Sequence, residues 1–133
     1  DEIVLIEKYV KGVEYTSFIL NGQVFPTIRI TSDNEFFDFE AKYSTTNGAR
    51  EEVVELSLEL DKKLKEASNT CWKIFNCKGY VRVDYIITED QDVYLLELNT
   101  LPGMTETSLI PKSAKAMGIS YQGLLDKLIE SSL

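Results

Sequence analysis

Two strand-forming runs, Val81 to Ile87 and Val93 to Asn99, flank the acidic stretch Glu89-Asp90-Gln91-Asp92. Both alternate and are rich in Val, Ile, Tyr and Leu, so they predict an antiparallel hairpin. With Asp90 and Gln91 as its loop, Asp84 falls opposite Glu97 and Arg82 opposite Asn99. Side chains alternate faces along a strand. Arg82, Asp84, Glu97 and Asn99 therefore share one face, while Val81, Val83, Tyr85, Leu96 and Leu98 share the other, which is expected to be core.

Two carboxylates directly across a sheet repel each other unless something cationic sits between them. The oxygen donors of Asp84, Glu97 and the Asn99 amide suit Mg2+, which takes carboxylate and carbonyl ligands and keeps positions for water and phosphate. Arg82 beside them suits stabilisation of a transferring phosphoryl group or an oxyanion. The alternative is a half-solvated strand face carrying unrelated polar residues.

Histidine is absent. That removes Ser-His-Asp and Cys-His catalysis and most zinc sites, leaving carboxylates, Lys, Arg and backbone amides for any chemistry. The formal net charge of -8 argues against a nucleic-acid or anionic-membrane surface. No apolar run is long enough to span a bilayer and no signal peptide is evident. Cys71 and Cys77 form no recognised metal or redox spacing and read as reduced packing residues of a cytoplasmic protein. At 133 residues and 44% hydrophobic, the chain supports one core. It opens directly into a strand-like run, Ile3 to Val10, without an initiator Met, as expected of a piece of a larger polypeptide.

Tyr15 to Leu20 and Val24 to Ile30 predict a second hairpin around Asn21-Gly22-Gln23, because Asn-Gly readily adopts positive φ. Thr31-Ser32-Asp33-Asn34 reads as a turn, Ser44 to Gly48 as an exposed loop, and Glu52 to Leu56 as a short strand. From Leu58 to Phe75 the apolar positions Leu60, Leu64, Ala67, Cys71 and Ile74 recur at helical spacing, with Lys62, Lys63, Lys65 and Glu66 outward. A short helix around Pro111 to Met117 stops at Gly118. Ser120 caps a last helix with Leu124, Leu125, Leu128 and Ile129 as its core stripe. The expected fold is α+β, a mostly antiparallel sheet packed with helices.

The run from Gly79 to Leu109 contains Arg82-Val83-Asp84, Leu96-Glu97-Leu98-Asn99-Thr100, Pro102-Gly103-Met104-Thr105 and Ser108-Leu109. It resembles the C-terminal part of the D-alanine–D-alanine ligases, which are ATP-grasp enzymes. Glu7-Lys8-Tyr9 and Phe39-Glu40-Ala41-Lys42-Tyr43 match the same family in the same order. The resemblance covers nearly the whole chain and implies a single C-terminal ATP-grasp subdomain over 1–133.

The resemblance also implies a nucleotide pocket. Glu7, Lys8, Tyr9 and Val10 run along the adenine edge, Glu14 accepts from the ribose hydroxyls, and Phe36 and Leu96 sandwich the base. Lys42 contacts the transferred phosphate. Asp84 and Glu97 hold one Mg2+ while Glu97 and Asn99 hold a second, with Mn2+ as a substitute. ATP is the co-substrate. Arg82 and the Gly103 N–H hold the oxyanion formed when a second D-alanine attacks an acyl phosphate, and Ser108 and the Leu109 backbone grip that D-alanine's carboxylate. Tyr43 occupies the position where D-lactate-forming relatives tend to differ, and favours the dipeptide. The implied setting is a cytoplasmic, homodimeric parent supplying peptidoglycan precursors, with D-alanine and ATP as partners and neither nucleic acid nor membrane.

Read without the resemblance, Glu7, Lys8 and Glu14 are charges on an exposed strand edge, and Pro102-Gly103 is a tight turn. The competing readings are a D-alanine–D-lactate ligase, another ATP-grasp carboxylate–amine ligase, or a non-catalytic ATP-binding module. The last has no physical need for opposed carboxylates. The half supplying the first D-alanine subsite and the glycine-rich phosphate loop have no match in the chain, so the piece alone is expected to be inactive.

Overall fold

The run Val13–Leu20 (β1) carries polar Thr16 and Ser17 beside Phe18, Ile19 and Leu20, and all five are buried. A continuous buried run of this kind needs cover on both faces of a sheet. The computed structural model of the protein, which describes residues 3–31 and 50–132, supplies it. β1 is flanked by Gln23–Val24 (β2) and Ile28–Thr31 (β3) on one side and Tyr80–Ile87 (β5) on the other. Arg50–Val53 (β4) and Val93–Asn99 (β6) are the outer strands, giving the order β4-β3-β1-β5-β6 with β2 on β1. Every pairing is antiparallel.

The Asn-Gly hairpin forms as expected. Ile19 pairs with Val24 and Leu20 with Gln23 across Asn21 (φ 48°) and Gly22 (φ 80°), the two positive angles such a turn requires. The returning strand then breaks at Phe25–Thr27, because Pro26 has no N–H for the ladder. Its carbonyl instead accepts from Ser113 Oγ at 2.6 Å. The expected strand Glu52 to Leu56 is shifted to Arg50–Val53.

Leu58–Ile74 (α1) begins at Ser57, whose side chain accepts from the Leu60 N–H, and carries acidic Glu59 and Asp61 in its first turn. It packs Leu60, Leu64 and Cys71 against Ile19, Val81, Val83, Tyr85 and Ile87. The opposite face of the sheet, bearing Phe18 and Leu20, meets Ile110 and Ala114 of Leu109–Ala116 (α2) and Leu124 and Leu128 of Tyr121–Glu130 (α3). The result is the α+β architecture expected, with helices on both faces. Cys71 and Cys77 are free thiols, and burial pushes both above their ordinary range. Among the described residues no helix is long and apolar enough to cross a membrane.

Three expectations fail for identifiable reasons. Ile3 to Val10 is not a strand: it takes no place in the sheet, and Ile3, Val4, Leu5 and Ile6 are exposed. Strand propensity alone does not place a run in a sheet. Ile74 and Ile129 fit the helical spacing but lie in the last turns of α1 and α3, and both are exposed. Leu64→Ala should therefore destabilise by about 2–5 kcal/mol, whereas Ile74→Ala should change stability by no more than about 0.5 kcal/mol. Urea unfolding of the two variants checks this; similar losses would show that the helix is docked differently.

Candidate functional site

Asp84 and Glu97 are register partners across β5 and β6, as are Arg82 and Asn99. The pairing agrees with expectation although the loop does not. Ile87 pairs with Val93 and the Thr88 N–H donates to the Asp92 carbonyl, so the loop is Glu89, Asp90 and Gln91, with Gln91 at φ 62°, one residue longer than supposed. A bulge next to Asp84 and Tyr85 then absorbs a residue of β6 and restores the register. Leu96 sits at that irregularity and is 51% exposed, so it does not belong to the core face on which alternation placed it.

The cation between the two carboxylates is Arg82. Its Nε donates to Asp84 Oδ1 at 2.9 Å and its Nη2 to Asp84 Oδ2 at 2.7 Å, a bidentate fork. The same Nη2 lies 3.5 Å from Glu97 Oε1, an ion pair rather than a good hydrogen bond. Asp84 is only 3% exposed, so its charge depends on these partners. Burial pulls the Arg82 guanidinium down, but its bond to Asp84 and the charges of Asp84, Glu97 and Glu14 outweigh that and hold it above its ordinary value. One guanidinium thus answers several carboxylates, and the face retains a negative potential open to solvent at Glu97, whose side chain is 58% exposed.

Asn99 Oδ1 accepts from the Leu101 N–H at 3.0 Å, turning the chain out of β6 and keeping one lone pair for another partner. The loop that follows is tied down where Tyr121 Oη donates to Met104 O at 2.7 Å. Ser108 precedes α2, yet its hydroxyl serves Thr105: it accepts from the Thr105 N–H at 3.1 Å and shares a bond with Thr105 Oγ1 at 2.8 Å. Gly103 is its neighbour. A Cβ added at Gly103 would lie 3.4 Å from Ser108 Oγ, an ordinary contact, so the protein's own packing does not demand glycine there.

A crevice too tight for water joins these elements and is lined by Thr16, Phe18, Ile28, Arg82, Leu109, Ile110 and Ser113. The structure thus brings Arg82, Asp84, Glu97 and Asn99 together, sets Leu109 beside Arg82, and joins Gly103 to Ser108. Glu14 is close enough to act on Arg82 electrostatically. Glu7, Lys8, Tyr9 and Val10 lie on the segment outside the sheet. Phe36, Lys42 and Tyr43, with the Ser44 to Gly48 loop, fall outside the described residues. Thr16, which donates to Asp84 Oδ1 at 2.5 Å, was not anticipated, because its partner is 68 residues away in sequence. A roomier cleft of about 450 Å³ between the β2–β3 corner and the start of α1 contains none of the expected residues.

The donor set tests the fit of a divalent cation. Two carboxylates and an amide oxygen on one face are hard ligands of the kind Mg2+ prefers. Among the described residues no three acidic, Cys or His side chains gather. An ion on this face would have Asp84, Glu97 and Asn99 as its ligands and would compete with the Arg82 contact to Glu97.

The sequence and the fold have clear relatives. A family model described as D-ala D-ala ligase C-terminus matches residues 1–130. D-alanine–D-alanine ligase A of Bacillus cereus is 50% identical over 133 residues, all of this chain and 44% of that protein. The crystal structure of D-alanine–D-alanine ligase from Bacillus anthracis complexed with ATP matches with a TM-score of 0.79 at 44% identity, covering 95% of this chain and 40% of that one. The VanG D-Ala:D-Ser ligase of Enterococcus faecalis matches at 0.76 and 29% identity, covering 95% of this chain and 38% of that one. The chain spans less than half the length of these relatives. On the family model and the identity along its whole length, it belongs to the D-alanine–D-alanine ligase C-terminal family.

Proposed function

We propose that this chain is the cation-holding and nucleotide-facing portion of an ATP-dependent D-alanine–D-alanine ligase. The observation that carries the reading is Asp84 paired with Glu97, and Arg82 with Asn99, on one face of β5–β6, in a fold shared with a relative crystallised with ATP. Asp84 and Glu97 would hold one Mg2+, Glu97 and Asn99 a second. Bound there, the ions would neutralise the ATP phosphates and polarise the terminal one. A D-alanine carboxylate attacks the terminal phosphorus and ADP leaves, giving an acyl phosphate. The amine of a second D-alanine then attacks the acyl carbon and phosphate leaves. Arg82, released from Glu97, and the Gly103 N–H stabilise the oxyanion between those events, while Ser108 and the Leu109 N–H orient the attacking D-alanine through its carboxylate. Glu7 to Val10, Glu14, Phe36 and Leu96 receive adenosine, and Lys42 the transferred phosphate. The whole protein is a cytoplasmic homodimer serving peptidoglycan synthesis.

The intact ligase should release phosphate only when ATP, Mg2+ and D-alanine are all present, and should form D-alanyl-D-alanine in preference to products of D-lactate or D-serine. Tyr43 supports this preference, and the D-Ala:D-Ser relative makes D-serine the informative competitor. Product analysis with the three competing nucleophiles decides it; dominance of D-lactate or D-serine would overturn the substrate assignment. The 133-residue chain alone should make no dipeptide and bind ATP no better than about millimolar, because one wall of the site is missing.

A further inference from the structure

We infer that Thr16 is a positioning residue that decides which oxygen of Asp84 is offered to a cation; the inference rests on the cation-binding reading above. Thr16 and Asp84 are direct partners across β1 and β5, and both side chains are buried. The Thr16 hydroxyl has one proton and two acceptors in range, Asp84 Oδ1 at 2.5 Å and the Val83 carbonyl at 3.3 Å. The shorter bond to a charged oxygen is the stronger, so the proton goes to Asp84. Oδ1 then has two donors, Thr16 and Arg82 Nε. A carboxylate oxygen has two lone-pair positions, and those of Oδ1 are filled.

Oδ2 is the less heavily committed oxygen. It receives Arg82 Nη2 at 2.7 Å and only the longer branch, at 3.2 Å, of the Nε–H that it shares with Oδ1, whereas Oδ1 has the Thr16 hydroxyl besides the shorter branch; the same Nη2 reaches toward Glu97 at 3.5 Å. Oδ2 thus shares its main donor nitrogen with the partner carboxylate, on the side where a shared ion would sit. Without the hydroxyl, Asp84 keeps only the Arg82 fork, which sits on a longer, more flexible side chain. The crevice beside Thr16 is narrow and lined largely by apolar side chains, so it offers a solvent molecule little room and few partners with which to replace the lost donor.

The test uses the intact ligase, with Mn2+ as probe and free Mn2+ followed by electron paramagnetic resonance. Thr16→Val keeps the shape and removes the hydroxyl; Thr16→Ser keeps the hydroxyl and removes the methyl. Thr16→Val should weaken Mn2+ by about tenfold or more, as loss of an outer partner of a metal ligand does, and Thr16→Ser should stay within about twofold of the parent. The Mg2+ concentration for half-maximal rate should follow the same order. A packing role predicts the reverse order, and that result, or unchanged affinity in Thr16→Val, overturns the inference. If Thr16→Val does not fold, Thr16→Ala against Thr16→Ser reads the same contrast. Asp84→Asn separates the two claims: unchanged Mn2+ affinity there defeats the cation reading itself, whereas weakened affinity there with a silent Thr16→Val defeats only the role of Thr16.

Discussion

Glu97→Gln in the intact ligase is expected to lower turnover by about a thousandfold or more, roughly 4 kcal/mol of transition-state stabilisation. Asn99→Ala should cost clearly less. In the proposed arrangement Glu97 would serve both ions, and its side chain is open to solvent and only loosely held by Arg82, so it could take up ligands. Gln keeps the shape and removes the charge on which both ions depend. Asn99 contributes one neutral oxygen that is partly committed to Leu101. Rates at saturating ATP and D-alanine over a Mg2+ titration measure the difference. Equal, mild effects from the two changes would remove the bridging role.

Stability should rank the same carboxylates in a different order. Asp84→Ala strands the mostly buried Arg82 guanidinium, so it should cost about 3 kcal/mol or more. Glu97→Ala should cost less than about 1 kcal/mol, since an exposed ion pair is screened by water. Urea unfolding of each variant gives the comparison; equal losses would mean that Arg82 is not held chiefly by Asp84. Together the two predictions assign Asp84 to holding the site together and Glu97 to its chemistry.

What the sequence revealed follows from which interactions are local. The 3.6-residue spacing of Leu60, Leu64 and Cys71 and the Asn21-Gly22 turn are properties of neighbouring residues, and both elements formed where expected. The pairing of Asp84 with Glu97 was also legible, but partly by cancellation: a turn one residue longer and a bulge near Leu96 offset each other. Nothing in the run Leu95-Leu96 signals a bulge, because both residues suit a regular strand. The burial of Thr16 and Ser17 was illegible, since it depends on helices from distant parts of the chain covering both faces of β1.

The site shows the same division. Opposed carboxylates announced a missing positive charge, and a metal was the inference drawn from spacing. The structure places Arg82 there, which the strand pattern allowed but did not require, because a diagonal salt bridge depends on rotamers. The proposed ion is compatible with that arrangement if Arg82 holds the carboxylates until an ion takes its place beside Glu97.

Anomalous diffraction from crystals of the intact ligase grown with Mn2+ and a non-hydrolysable ATP analogue tests that exchange directly. The account predicts an anomalous peak in bonding contact with Asp84, Glu97 and Asn99, with the Arg82 guanidinium withdrawn from Glu97 toward the substrate side. A peak away from these three residues, with Arg82 still lying between Asp84 and Glu97, would contradict it.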